Sequence, residues 1–322
     1  MRSAASASVR SIGVPVIAAM VALGGAVTGC APSGPAPAPA APPPVGAPPT
    51  LADAGGQILP IAEYLISPSE EQRIEAARTV LIASCMKRFG FDFAPPAVGG
   101  KPDPMARRYY LTDAASAAAR GYHRAARPDR PGQAPAQESL SPEMQTVLGQ
   151  GVEAPAPAGS SASQSGGAFN GIAVPRGGCL GEADTKLAAD GGIIQDDVKA
   201  MEINGRAYAA SMADARVKEV FAGWSQCMKE KGHSYATPMD AVSDPRWLSS
   251  ATPTDPEIAA ATADVGCKHQ HNVVGVWFGV ETAYQGAEVR TNLQHLQLVR
   301  KSIDTALRNA EAVTGGGASK SP

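Results

Sequence analysis

Apolar residues recur along this chain at helical spacing, in blocks separated by stretches with no period. The first block opens at Ser67-Pro68-Ser69-Glu70, a capping box with proline in the first turn. Ile74, Ala77, Leu81 and Cys85 follow on one stripe, so a helix is expected through Arg88, with Gly90 as a left-handed stop. Thr112-Asp113 caps an alanine-rich helix reaching Arg120, and Ser141 caps a short one from Pro142 to Leu148. Val198 to Ala209 reads as helix. So does Asp214 to Lys231, where Val217, Val220, Phe221, Trp224, Cys227 and Met228 share a face and Gly232 is the stop.

Asp255-Pro256-Glu257 starts a further helix that runs to about His271. Gly275 and Gly279 mark an expected bend or break. A long amphipathic helix is then expected from about Val280 to Val313, ended by Gly315-Gly316-Gly317. Its stripe is Val289, Leu293, Leu296, Ile303, Leu307 and Ala310. Two or three heptads interrupted by Arg300 are too few for a coiled coil, so this stripe is expected to pack on the protein's own helices. Aromatics are only 5% and period-2 runs of Val, Ile and Thr are missing, so no strand is expected. The fold class that follows is all-α: an irregular helical bundle with a long C-terminal helix. Trp224, Trp277 and Phe278 fall at core positions, and Trp247, on a loop, is expected to tuck onto the bundle.

The N-terminus follows another grammar. Met1 to Arg10 carries two arginines and no acid, and Ser11 to Val27 is apolar and small, as in a secretory signal. It ends in Val27-Thr28-Gly29-Cys30, which resembles the lipobox of bacterial lipoproteins. The resemblance implies cleavage before Cys30 and lipid on its sulfur, hence a membrane anchor on the extracytoplasmic face. Removing residues 1–29 takes Arg2 and Arg10 away and moves the net charge from −2 to −4. From Ala31 to Thr50 nine of twenty residues are proline, a composition for an extended tether. The expected organisation is a signal over 1–29, lipidated Cys30 with a tether to residue 56, and one domain over 57–314. A mobile insertion of Pro, Gly and Ser is expected at about 124–171, and a disordered tail over 315–322.

Composition narrows the function classes. Hydrophobic residues are 44%, much of it alanine, so the core is thin. The near-zero charge argues against nucleic acid as a partner.

Four cysteines besides Cys30 remain: Cys85, Cys179, Cys227 and Cys267. An even number in an exported chain reads as two disulfides. Cys85-Met86-Lys87-Arg88-Phe89-Gly90 and Cys227-Met228-Lys229-Glu230-Lys231-Gly232 repeat one pattern, C-M-K-x-x-G, with Phe93 and Tyr235 eight residues after the Cys. Together with Gly178-Cys179-Leu180-Gly181-Glu182-Ala183, Ala263-Asp264-x-x-Cys267 and Val280-Glu281-x-x-Tyr284-Gln285, these runs resemble a group of exported actinobacterial lipoproteins. The resemblance implies kinship and no activity. Four cysteines allow three pairings. The repeat favours each helix-end Cys pairing with the next along, Cys85–Cys179 and Cys227–Cys267.

Candidate chemistry is sparse. Cys267-Lys268-His269-Gln270-His271, with Cys227 and His233, is the run most like a zinc site. His269 and His271 are two apart, which on a helix turns them to different faces, and disulfides would remove the thiolates. Ser84-Cys85-Met86-Lys87 matches the S-x-x-K of penicillin-binding proteins, without its companion motifs and late in a helix. Cys85 and Cys227 lie near helix C-termini, the wrong end to activate a thiol. Asp196-Asp197 reads as a solvated helix start. No nucleotide fingerprint is present, so no cofactor is expected. The reading is a lipid-anchored, non-enzymatic helical module that binds or positions a cell-envelope protein or cell-wall partner. Its alternatives are a cell-wall-acting enzyme and a thiol- or zinc-handling lipoprotein.

Overall fold

The computed structural model describes residues 42–93, 95, 102–123, 140–150 and 167–315. The expected signal, Cys30 and most of the expected tether lie outside the described residues, as do 124–139, 151–166 and the tail from 316. The described chain is all-α. Its helices are α1 (Pro68–Arg88), α2 (Ala114–Arg120), α3 (Pro142–Leu148), α4 (Gly178–Leu187), α5 (Val198–Ala213), α6 (Ala215–Glu230), α7 (Pro238–Val242), α8 (Asp255–Gln270), α9 (Val273–Thr291) and α10 (Leu293–Gly315).

The capping box forms as expected: Glu70 N–H donates to Ser67 Oγ at 3.3 Å, and Ser67 N–H to Glu70 Oε2 at 2.8 Å. Beyond it, α1 turns Ile74 and Ala77 onto α10, where Val299, Ile303, Leu307 and Ala310 complete the core with Leu187 of α4. The long C-terminal stripe thus packs on the protein's own helices. The far end of α1 meets α3 and α4 around Cys85, Met86, Val147, Leu148 and Cys179. A larger core gathers α6, α8 and α9 around Trp224 and Trp277, both fully buried.

Two of these cores hold a disulfide, Cys85–Cys179 where α1 meets α3 and α4, and Cys227–Cys267 in the Trp224–Trp277 core, in the pairing the repeat favours. The two C-M-K-x-x-G copies end their helices with the same hydrogen bonds. Phe91 N–H reaches Met86 O at 3.1 Å and Gly90 N–H reaches Lys87 O at 3.0 Å; His233 N–H reaches Met228 O at 2.9 Å and Gly232 N–H reaches Lys229 O at 3.0 Å. This is a Schellman cap, and it puts Gly90 and Gly232 at φ +85° and +86°.

Four expectations change. First, Gly275 and Gly279 do not break a helix; α9 runs through both. A Cβ on Gly275 would lie 1.9 Å from the Pro49 carbonyl oxygen, so the glycine lets a neighbouring chain approach. Second, the break comes at Asn292, whose amide caps α9 on Glu288 O and whose side chain returns to the same carbonyl. The expected long helix over 280–313 is therefore the end of α9 plus α10. The phase is reset at the break, and Leu293, expected on the stripe, is 42% exposed.

Third, part of the stretch expected as tether packs on the helices. Pro43 O accepts from Arg216, Asn272 grips Pro49 O and Leu51 N–H, and Ala54 is buried. Fourth, part of the expected mobile insertion belongs to the fold: α3 buries Val147 and Leu148. Within the same stretch a two-residue hairpin, Ala168–Phe169 with Ile172–Ala173, turns through Asn170-Gly171 at positive φ. Asn-Gly is the strongest short hairpin signal, and sequence reading passed over it for want of flanking strand residues.

Candidate functional site

Five polar side chains on α8 and α9 are essentially inaccessible: Glu257, Asp264, Lys268, Glu281 and Gln285. A charge or amide at that depth needs partners. Three of them, Glu257, Lys268 and Glu281, find theirs in one stretch, 102–123; Asp264 and Gln285 find theirs elsewhere. Glu281 accepts Arg108 Nε at 2.9 Å and the Tyr109 hydroxyl at 2.9 Å. Lys268 Nζ donates to Leu111 O at 2.7 Å and to Asp264 Oδ2 at 3.1 Å, and Trp224 Nε1 completes Asp264 at 2.9 Å. Glu257 Oε1 accepts the backbone N–H of Tyr122 at 2.8 Å and the His123 ring at 2.7 Å. Gln285 Oε1 accepts Ile61 N–H at 3.1 Å, and Tyr284 donates to Asp214. The residues of A-D-x-x-C and V-E-x-x-Y-Q are thus anchors for segments far away in the chain.

Burial sets the charge states. It pushes the Asp264 carboxyl up and the Lys268 amine down, each against the pull of the other. It pushes the phenols of Tyr109, Tyr122 and Tyr208 well above their ordinary value, so they remain O–H donors. His123 moves the other way for a base. The Glu257 carboxylate, then the Ser250 carbonyl at 3.0 Å from Nε2, raise its pKa. Nδ1 faces the Glu257 carboxylate and Nε2 the Ser250 carbonyl, an arrangement that favours the protonated ring.

Between the pinned stretch and residues 242–247 lies a cleft of about 350 Å³, lined by Arg107, Tyr110, Leu111, Tyr122, His123, Val242 and Trp247. Its aromatic residues have turned their polar atoms into the protein. Trp247 Nε1 donates to Ala241 O at 2.8 Å, the Tyr122 hydroxyl to Ala260 O at 3.4 Å, and the Tyr110 hydroxyl to Met239 Sδ at 3.1 Å. Tyr110 holds φ +65°, a left-handed conformation that costs a bulky residue roughly 1–2 kcal/mol. The Tyr208 hydroxyl at 3.2 Å and the Trp277 ring at 5.9 Å hold it there. Trp247 is buried, stacked on Tyr122 and covered by Arg246, as its tucked position requires.

The structure places the sequence candidates elsewhere. Cys227 and Cys267 are bonded to each other, which removes both thiolates from the zinc-like run. His269 is exposed on α8, and a Cβ on Gly223 of α6 would come within 2.6 Å of His271 Nδ1. His233 caps α6 through its backbone N–H. Among the described residues no three His, Cys, Asp or Glu side chains are grouped to hold a metal ion. Ser84 and Lys87 stand exposed on α1. Asp197 caps α5 by accepting Ala200 N–H at 3.0 Å, and its partner across the surface is His295 at 2.9 Å. Sequence reading missed the His123–Glu257 pair, whose members are 134 residues apart, and the cleft beside it. No family model matches this chain, and no curated protein or solved structure is significantly similar to it.

Proposed function

We propose that this chain is an exported lipoprotein. Its signal is removed before Cys30, the Cys30 sulfur carries lipid, and the helical domain works at the extracytoplasmic face as a non-catalytic module that binds or positions a cell-envelope partner. The observation that carries the reading is the pair of buried disulfides, in two separate cores. Such bonds persist in the oxidising space outside the cytoplasm, where the Cys30 signal would also send the chain. The non-catalytic part rests on how the reactive groups are used. Four cysteines are cross-linked, both nitrogens of His123 are occupied, and the buried carboxylates of Glu281 and Asp264 are held by Arg108 and Lys268.

The test is metabolic labelling with an alkyne-bearing fatty acid, followed by fractionation and mass mapping of the N-terminal peptide. The wild type is expected in the membrane fraction with label on Cys30 and residues 1–29 absent. Cys30→Ala is expected unlabelled, with its signal retained. A wild-type chain that keeps residues 1–29 and takes no label overturns the proposal.

A further inference from the structure

His123 stands where the end of α2, the start of α8 and the turn at Pro245–Ser249 meet. Its Nδ1 faces Glu257 Oε1 of α8 at 2.7 Å, and its Nε2 faces the Ser250 carbonyl at 3.0 Å. The ring lines the cleft together with Trp247, and Tyr122, its neighbour in the chain, stacks on that tryptophan. Residues of the turn also bond locally: Trp247 Nε1 donates to Ala241 O, and Arg246 to Asp244 and the Tyr235 hydroxyl. The Ser250 carbonyl reaches further, to His123 and through it to α8.

A neutral imidazole has one N–H and one lone pair, so it can donate to Glu257 or to Ser250 but not to both. The hydrogen stays with the carboxylate, the closer and charged acceptor. Nε2 then turns a lone pair on the Ser250 carbonyl, and two acceptors repel. The charged groups on the elements packed around the ring are Glu257, Arg120 at the end of α2, Arg107 in the cleft lining, and the Arg246–Asp244 pair on the turn. The arginines keep their charge at any pH of interest. Arg246 holds the Asp244 carboxyl well below the usual carboxylate range, and burial holds the Tyr122 phenol above its own. The Glu257 carboxylate, then the Ser250 carbonyl, raise the pKa of His123, so its proton comes off on the alkaline side of 6.5.

We infer that His123 is a proton-operated latch on the turn at Pro245–Ser249. With the ring charged, the turn is tied to α8 and Trp247 is held on Tyr122. When Nε2 gives its proton to water, Ser250 is released, the turn moves off, Trp247 separates from Tyr122 and the cleft widens. The use of such a latch rests on the proposed place outside the cytoplasm, where pH follows the surroundings. Its operation does not, and absence of lipid on Cys30 would leave its response unchanged.

Trp247 reports on the latch, because Trp224 and Trp277, the other two tryptophans, are fully buried. Acrylamide quenching of the full chain in a non-ionic detergent is followed from about pH 5 to about pH 9. Quenching is expected to rise through one titration step, and Trp247→Phe is expected to remove the step. His123→Gln, which does not titrate, is expected to give a level profile. Glu257→Gln removes the larger cause of the raised pKa and is expected to move the step to lower pH, which a merely structural role would not do. Nitrogen NMR of the neutral ring, assigned with His123→Gln, is expected to place its hydrogen on Nδ1. Circular dichroism confirms that each variant retains its helices; where Glu257→Gln does not, the ring tautomer and the His123→Gln profile decide. A level wild-type profile, a step that survives Trp247→Phe or His123→Gln or stays in place in Glu257→Gln, or a neutral ring with its hydrogen on Nε2 overturns the inference.

Discussion

Asp264 and Lys268 lie one helical turn apart on α8, both buried, with Trp224 and the Leu111 carbonyl as their outside partners. Breaking such a pair from one side leaves an uncompensated charge in the core. Asp264→Ala is therefore expected to cost about 3–5 kcal/mol in urea unfolding at pH 7. The double variant Asp264→Leu with Lys268→Met, which removes both charges and keeps volume, is expected to lose less than that single change. Equal losses in the two would show that the charge pair is not the origin. In the sequence Asp264 stood out only within the A-D-x-x-C run and Lys268 only within the zinc-like run. A-D-x-x-C-K gives no sign that Asp264 faces Trp224, because the partner lies 40 residues away and only the folded α6–α8 contact brings it near. The caps were readable because their chemistry is local: Ser67, Asp113 and Ser141 each meet an amide three residues on.

At the scale of elements, the His123 ring is a clamp. It lies just past α2, takes Glu257 of α8 on one nitrogen and holds Ser250, just after the turn at Pro245–Ser249, on the other. Its folded pKa is raised above the ordinary value of 6.5. The stability it contributes is therefore fully present below about pH 6.5 and lost as pH rises through the raised value. Thermal melts from pH 6 to pH 9 are expected to show a falling midpoint that His123→Gln flattens. A wild-type profile that is level over that window counts against the clamp. Helix boundaries divide in the same way between local and distant causes. Gly90 and Gly232 end α1 and α6 as their positions indicate. Gly275 reads like a break and is instead the place where Pro49 presses on α9, a contact 226 residues away in sequence that no periodicity encodes. The true break, at Asn292, falls inside a stretch whose apolar spacing continues across it.

For the whole molecule, the disulfides close loops of 94 and 40 residues. By the chain-entropy relation these are worth about 4–5 and about 4 kcal/mol, comparable with the net stability of a domain. The bonds lie inside the two cores that hold α1 to α4 and α6 to α8, so the reduced protein is expected to lose most of its cooperative melt. A thermal transition unchanged by reductant would refute this. Removing Cys227 and Cys267 together is expected to loosen the Trp224–Trp277 core while leaving α1 on α10, an effect to be read by hydrogen exchange. The all-α class and the pairing were legible because both rest on patterns repeated along the chain. The cleft was not, since it is assembled from residues 107–123 and 242–247, which share no motif.

The packing of Pro43 on Arg216 of α6, and of Pro49 on Asn272 at the start of α9, has a mechanical consequence. If Cys30 is lipidated, the leash between bilayer and domain is twelve residues, not the twenty-six that a boundary at Gly56 would allow. Twelve residues reach at most about 40 Å. A single partner confined to that hemisphere meets the domain at an effective concentration of about 10 mM, so even a weak contact would be occupied nearly all the time.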